Sequence, residues 1–456
     1  MKKLVMISVL ATILMASCSK DSIVEESITR TSSTEYNVTY ATMKEALQHI
    51  PNIENITEKN KEGYSENFEL SFRQSADHNN ASAGTFLQRV VIHFVGFDAP
   101  TVLSTCGYTF DQNYELAESM KANIVAVEHR YFGESVINND PQWNYLTLKQ
   151  AADDLHEIVT ALRPVLKGKW ISTGVSKSGT TSIQYRYIYP NDVDGTVAFC
   201  APILTSNADP APMSYMLNES ATPEFRQEMK SVIAKLLAGG EKGYYQKYLD
   251  YMKDDGFEES ELPTFSQFAF GVFNLFFHHL SYSTADMWTK YLPTTDTSDK
   301  KLFELLDDVM PQDPEEDVFG PTYMYPYFIQ QVKEFGRETI FTEEGKAWLE
   351  GTSCTPESVI LMNLKKKDIS VADDYDNSVS MTILNELLPK TDSKIMFVYS
   401  KNDPWTGGRP KNLNNPNVQI LINPVGVHAE CLDKVKSHET YDEATAQAIM
   451  KFVQNL

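Results

Sequence analysis

Residues Lys169-Trp170-Ile171-Ser172-Thr173-Gly174-Val175-Ser176-Lys177-Ser178-Gly179 constrain this chain more than any other stretch. A short apolar run ends in Gly, Ser and small residues, and a helical pattern follows that closes near Pro190. The pattern predicts a strand, a sharp turn and a helix, with Ser176 on the turn as a nucleophile elbow. Such a turn holds its serine in strained backbone, so the flanking residues where strand and helix converge have to be small. Gly174 meets that requirement two positions before the serine. Ser178 stands two positions after, where glycine is usual, and Gly179 follows it. A small-residue turn with no chemistry has the same outline, so the partners decide the reading.

A serine hydroxyl is a weak nucleophile and needs a base, which in turn needs an orienting acid. In a sheet of this kind the chain order is Ser, acid, His, each just beyond the C-terminal end of a strand. Lys394–Tyr399 reads as a strand and runs into Ser400-Lys401-Asn402-Asp403-Pro404-Trp405. Val418–Ile422 reads as the next and runs into Pro424-Val425-Gly426-Val427-His428. Asp403 is therefore the expected orienting acid and His428 the expected base and acid. An oxyanion hole requires two backbone N–H groups. Lys177, next to the nucleophile, supplies one, and the turn at Gly107-Tyr108 after the strand Thr101–Thr105 is the expected source of the other.

Strand patterns at 67–74, 85–95, 101–105, 123–127, in the run before Ser176 and at 195–200 alternate with helical ones, among them 150–166, whereas 41–66 reads as a short helix and an irregular lead-in. From about 206 to 385 strand character is lost and helices are expected at 224–237, 244–252, 265–279 and 327–335. Strands resume at 394, and a helix over 443–453 closes the chain. The expected fold is α/β, an α/β-hydrolase with a doubly wound, mostly parallel sheet and an inserted helical cap. The expected divisions are a signal peptide over 1–17, a flexible tether over 18–40, core over 41–205, cap over 206–385 and core again over 386–456.

Lys2 and Lys3 precede an apolar run too short to span a bilayer, ending in Leu14-Met15-Ala16-Ser17-Cys18. This resembles a bacterial lipobox, which implies lipidation of Cys18 and an anchor in a bacterial outer membrane, facing periplasm or exterior. An ordinary signal peptide is the alternative. Net charge is −22, and loss of the first 17 residues removes two lysines and no acid, giving −24. That balance argues against a nucleic-acid partner, because phosphate is repelled. Cys106, Cys200, Cys354 and Cys431 would remain, as disulfides in any of three pairings or as thiols. No metal-ligand spacing and no dinucleotide or phosphate loop is present, so no cofactor is expected. Oligomeric state is left open.

Val125-Ala126-Val127-Glu128-His129-Arg130-Tyr131-Phe132-Gly133-Glu134-Ser135, the segment Tyr145–Ala151 with Asp153 and Asp154, Gly174-Val175-Ser176-Lys177-Ser178-Gly179, Asp403-Pro404-Trp405 and Gly426-Val427-His428 together carry a resemblance. They resemble the secreted bacterial prolyl tri- and tetrapeptidyl aminopeptidases and, beyond them, the lysosomal Pro-X carboxypeptidase and dipeptidyl peptidase II group. The likeness covers about 65–205 and 390–456. It implies a serine exopeptidase that releases short peptides from a free N-terminus, with Pro at the cleavage site. A carboxylesterase or lipase of the same fold, and a non-catalytic binding lipoprotein, are the other readings. Carboxylates are needed to hold a substrate ammonium; Glu128 and the acids at 257–261 are the candidates. Aromatics of the cap, from Phe265 to Phe277 with Trp288, Tyr323, Tyr325 and Tyr327, could stack a proline ring, although most belong to a core.

Overall fold

The computed structural model describes residues 40–110, 115–138, 140, 142–283, 288, 290–311, 324–428 and 442–456. The expected signal peptide, Cys18 and the tether up to residue 39 lie outside the described residues, as does Cys431. Residues from Thr42 onward form a single compact unit.

Among the described residues nine strands make one sheet: β1 (Ile53–Glu58), β2 (Glu66–Ser75), β3 (Thr85–Phe94), β4 (Thr101–Ser104), β5 (Asn123–Val127), β6 (Trp170–Val175), β7 (Gly195–Phe199), β8 (Lys394–Ser400) and β9 (Val418–Asn423). Their order is β1-β2-β3-β5-β4-β6-β7-β8-β9. From β5 to β9 every pairing is parallel. β1, β2 and β3 add an antiparallel meander on the β5 side. β4, β5 and β7 are buried along their whole length, as parallel strands covered on both faces must be.

Alternation along β8 shows the two coverings. Met396 and Val398 join Ile171, Val197 and Phe199 under the C-terminal helix Glu443–Gln454. Ile395, Phe397 and Tyr399 face the other way, onto Ile183 of the helix Lys177–Ile188 and onto Ile383 and Leu388. This is the doubly wound α/β sheet expected of an α/β-hydrolase.

The chain leaves the sheet after β7 and returns beside it in β8, with Gly195 to Phe199 paired to Lys394 to Val398. Among the described residues the intervening segment holds helices and no strand, apart from an isolated bridge between Asp209 and Glu338. Its longest helix, Phe265–Tyr282, starts with a capping box of Thr264 and Gln267. That helix buries Phe265, Phe268, Phe273 and Phe276 against Val232, Leu236 and Tyr248 of neighbouring helices. Each such phenylalanine contributes about 1.5–3 kcal/mol of burial.

Two expectations need correction. Residues 53–58 are not irregular: they form β1, paired to β2 with an irregularity between Glu54 and Thr57. The helix expected over 150–166 runs from Leu148 to Leu162, because Thr147 caps it by accepting the Gln150 amide. Cys106, Cys200 and Cys354 are buried, and no disulfide joins them to one another.

Candidate active site

Ser176 sits between β6 and the helix Lys177–Ile188 at φ +59° and ψ −128°. Its N–H donates to the Phe199 carbonyl at 2.8 Å, fixing the turn to β7. A Cβ on Gly174 would lie 2.4 Å from the Ser178 carbonyl carbon, and one on Gly179 would lie 2.9 Å from Ala201 Cβ and Phe199 O. Both glycines are therefore demanded by closeness of approach. The Ser176 side chain makes no cap bond to its own helix, so its hydroxyl is available elsewhere.

His428 Nε2 lies 2.8 Å from Ser176 Oγ, and His428 Nδ1 lies 2.8 Å from Asp403 Oδ2. An ionised carboxylate only accepts, so Nδ1–H donates to Asp403 and Nε2 is left to accept the serine proton. Asp403 is fully buried; its other oxygen accepts the Trp405 amide at 3.0 Å and caps the turn Pro404–Gly408. The turn role and the His-orienting role thus coexist in one side chain. A Cβ on Gly426 would meet Asn423 Nδ2 at 2.3 Å and Ser400 Oγ at 2.6 Å, which explains the glycine two residues before the histidine.

The helical insert reaches this group, which the sequence did not reveal. His428 N–H donates to the Ser281 carbonyl at 2.7 Å. The Tyr282 ring stands edge-on to the imidazole, and Trp405 packs on it with centroids 5.9 Å apart. The end of the helix Phe265–Tyr282 therefore helps to hold the histidine.

On the oxyanion side one expectation is corrected. The Gly107 N–H is not open: it donates to Ser178 Oγ at 2.7 Å. The N–H groups of Tyr108 and Lys177 make no hydrogen bond among the described residues, and they are the two amides left for a developing oxyanion. Ser178, standing where glycine is usual, thus has a structural use. A Cβ on Gly107 would lie 2.7 Å from Ser178 N and 2.9 Å from Lys177 C. The Lys177 side chain is buried and turns back to donate from Nζ to the Gly107 carbonyl. Its ammonium lies 5.2 Å from the Tyr108 ring centre, 5.0 Å from Phe132 and 5.9 Å from Phe335. Burial holds its pKa well below the ordinary lysine value. The Tyr108 ring meets Tyr327 edge-on, and burial pushes its phenol upward.

Glu128 does not fit the role of ammonium ligand. It is fully buried, and its oxygens accept from Thr109 Oγ1 at 2.6 Å, Ser135 Oγ at 2.9 Å and the amides of Glu134 and Ser135. It braces the turn after β5. The acids at 257–261 are exposed, with Glu258 and Glu261 forming a capping box. Most of the named aromatics lie in the core of the insert; Tyr327 instead meets Tyr108 edge-on at 5.3 Å, and Tyr323 lies outside the described residues. Arg130 and Asp154 form a buried fork, Nε to Oδ2 and NH2 to Oδ1, both at 2.7 Å. That pair ties the turn after β5 to the helix Leu148–Leu162.

Among the described residues one trio, Cys200, Asp403 and His428, brings three donor atoms of metal-binding type within 4.8 Å of one another. Asp403 and His428 are already joined by their own hydrogen bond. A nucleophile, a base, an orienting acid and two amides without partners among the described residues can together carry out acyl transfer through a tetrahedral intermediate.

The sequence profile of the family described as PS-10 peptidase S37 matches residues 38–431. A prolyl tri/tetrapeptidyl aminopeptidase of Streptomyces mobaraensis is 28% identical over 380 residues, which span 80% of this chain and 75% of that protein. The human lysosomal Pro-X carboxypeptidase is 35% identical over 100 residues, 20% of either chain. Among solved structures, a proline iminopeptidase of Mycobacterium smegmatis aligns over 88% of this chain and 99% of its own at 11% identity and a TM-score of 0.38. The chain belongs to the S37 peptidase family and is a serine peptidase.

Proposed function

We propose that this S37-family chain is an exopeptidase of the aminopeptidase type that releases tri- or tetrapeptides from short substrates with Pro at the cleavage site. Ser176 attacks the scissile carbonyl, His428 takes its proton and returns it to the leaving amine, and Asp403 holds the imidazole. Lys177 and Tyr108 N–H groups receive the oxyanion. The observation that carries this reading is the continuous relay from Ser176 Oγ through His428 to Asp403, each step 2.8 Å. The Streptomyces relative, matched over 75% of its length, supports the substrate class.

One substrate panel tests it: Ala-Ala-Pro- and Pro-coupled chromogenic amides, their N-acetylated forms, and short- and long-chain nitrophenyl esters. Faster cleavage of the free tripeptidyl amide is expected. Equal rates on blocked amides would remove the aminopeptidase assignment, and activity on esters alone would transfer the function to an esterase.

The proposal extends to location: the mature chain is held at a bacterial outer membrane or cell surface through lipid on Cys18. Its support is the lipobox-like sequence Leu14–Cys18. Cys18→Ser should release the protein or leave its signal uncleaved; a native N-terminus elsewhere on a wholly soluble protein would end the idea.

A further inference from the structure

We propose that the carboxylate of Glu338 receives the α-ammonium group of the substrate peptide. This rests on the aminopeptidase reading above and assigns the residue that reads the free N-terminus.

An enclosed site that binds a primary ammonium has to replace its lost hydration with charge-assisted hydrogen bonds. Most buried acids here are already engaged. Glu128 is filled by four donors, Asp154 by Arg130 and His78, and Asp403 by His428 and the Trp405 amide. Asp209 accepts from Thr205 and from the Ala211 amide. Glu338 differs. It is 9% exposed, and its Oε2 is buried with no hydrogen-bond partner. Among the described residues no lysine, arginine or histidine nitrogen lies within 4.0 Å of its carboxylate. The adjacent Arg337 donates from NH1 to the Ile360 carbonyl at 3.0 Å and lies over Phe270, while its buried Nε, like Glu338 Oε2, has no hydrogen-bond partner among the described residues. A buried carboxylate oxygen without a donor costs about 1–3 kcal/mol or more, a cost that a bound ammonium would offset.

Its place in the fold suits that ligand. The backbone around it is fixed: Arg337 N donates to Ser206 O, Asp209 N to Arg337 O and Thr339 N to Asp209 O. Gly336, at φ +87°, makes the turn into this segment, where a Cβ would lie 2.6 Å from Leu204 Cβ. Phe335, in the same segment, packs edge-on against Tyr327 with ring centres 6.1 Å apart and lies 5.9 Å from Nζ of Lys177, the residue after the nucleophile. Tyr327 in turn meets Tyr108 edge-on at 5.3 Å. The segment that carries Glu338 therefore reaches the elbow through Phe335. Burial raises the pKa of Glu338 and the nearby Arg337 charge opposes the rise; an arriving ammonium favours the ionised form further.

The test compares wild type and Glu338→Gln on free and N-acetylated Ala-Ala-Pro chromogenic amides. Fluorophosphonate labelling of Ser176 reports whether the site is assembled. Wild type should prefer the free substrate, and in Glu338→Gln the ratio of free to acetylated kcat/KM should fall by about 10- to 100-fold, mostly through KM. A variant that is labelled yet keeps the wild-type ratio overturns the inference and leaves the aminopeptidase reading standing. Absence of preference in the wild type overturns the reading, and the inference with it. If Glu338→Gln fails to label, Glu338→Asp decides: it keeps the charge but withdraws it by one methylene. A raised KM for the free substrate alone is then expected, and an unchanged KM is the overturning result.

Discussion

Ser178 Oγ accepts the Gly107 amide at 2.7 Å, while the neighbouring Lys177 donates its ammonium to the Gly107 carbonyl. Both polar groups of residue 107 are thus held by the two residues that follow the nucleophile. The elbow thereby sets the orientation of the next amide, Tyr108 N–H. Ser178→Ala should lower kcat about 10-fold with little change in KM, since an oxyanion donor acts in the transition state. Gly107→Ala should be more severe, about 100-fold or more, because its Cβ would collide with the elbow backbone. Steady-state kinetics on one amide substrate check both, and an unchanged kcat in Gly107→Ala would contradict the assignment.

Lys177 buries its amino group, whose pKa burial holds well below the ordinary lysine value, with no carboxylate within 4.0 Å among the described residues. Replacing it by Met removes the desolvation penalty and keeps the stem among Tyr108, Phe132 and Phe335. Thermal unfolding of Lys177→Met should hold or shift upward, by about 1–2 kcal/mol in stability, while kcat falls about 10-fold. A variant that is both less stable and fully active would refute this division of roles.

The relay itself predicts the largest effects. Ser176→Ala should lose on the order of 10⁴-fold or more in turnover, and Asp403→Asn a comparable factor through the wrong imidazole tautomer. Fluorophosphonate should label the wild type at Ser176 and leave Ser176→Ala unmodified. Circular dichroism should show both variants folded.

The Arg130–Asp154 fork is a stability device, with side chains 0% and 1% exposed. Asp154→Asn or Arg130→Met alone strands a buried charge and should cost about 3–5 kcal/mol. The double variant should cost less than the sum of the two, which a double-mutant cycle by chemical denaturation measures directly.

Acid should weaken the fold through His93, whose pKa is lowered to about 4, first by burial and then by the Lys61 charge. Between about 6.5 and about 4 the unfolded chain takes up a proton that folded His93 refuses. This group's contribution is therefore intact above about pH 6.5 and is lost as pH falls through that window, at about 1.4 kcal/mol per unit of difference. His93→Gln should flatten the dependence of the denaturation midpoint between pH 6.5 and 4. An equal slope in both proteins would remove His93 as the cause.

The sequence alone determined the parts whose geometry is local. A serine on a strained turn demands Gly174 and Gly179. A buried parallel strand demands the apolar runs of β4 to β8. The acid and base follow the ends of β8 and β9, so Asp403 and His428 were legible from spacing. β1 escaped notice because it is an edge strand paired only to β2, and Ile53–Glu58 has no fully buried position to impose a period. Which donors and acceptors remain open was decided only by the tertiary structure. Gly107 and Tyr108 look alike as amide sources until Ser178, 71 residues away, occupies one of them. Glu128 and Glu338 carry the same side chain. Four hydrogen bonds from Thr109, Glu134 and Ser135 close the first, and burial without a partner leaves Oε2 of the second open. Covalent structure states what a group can bond to, and only the packing of distant segments decides whether that capacity is already filled.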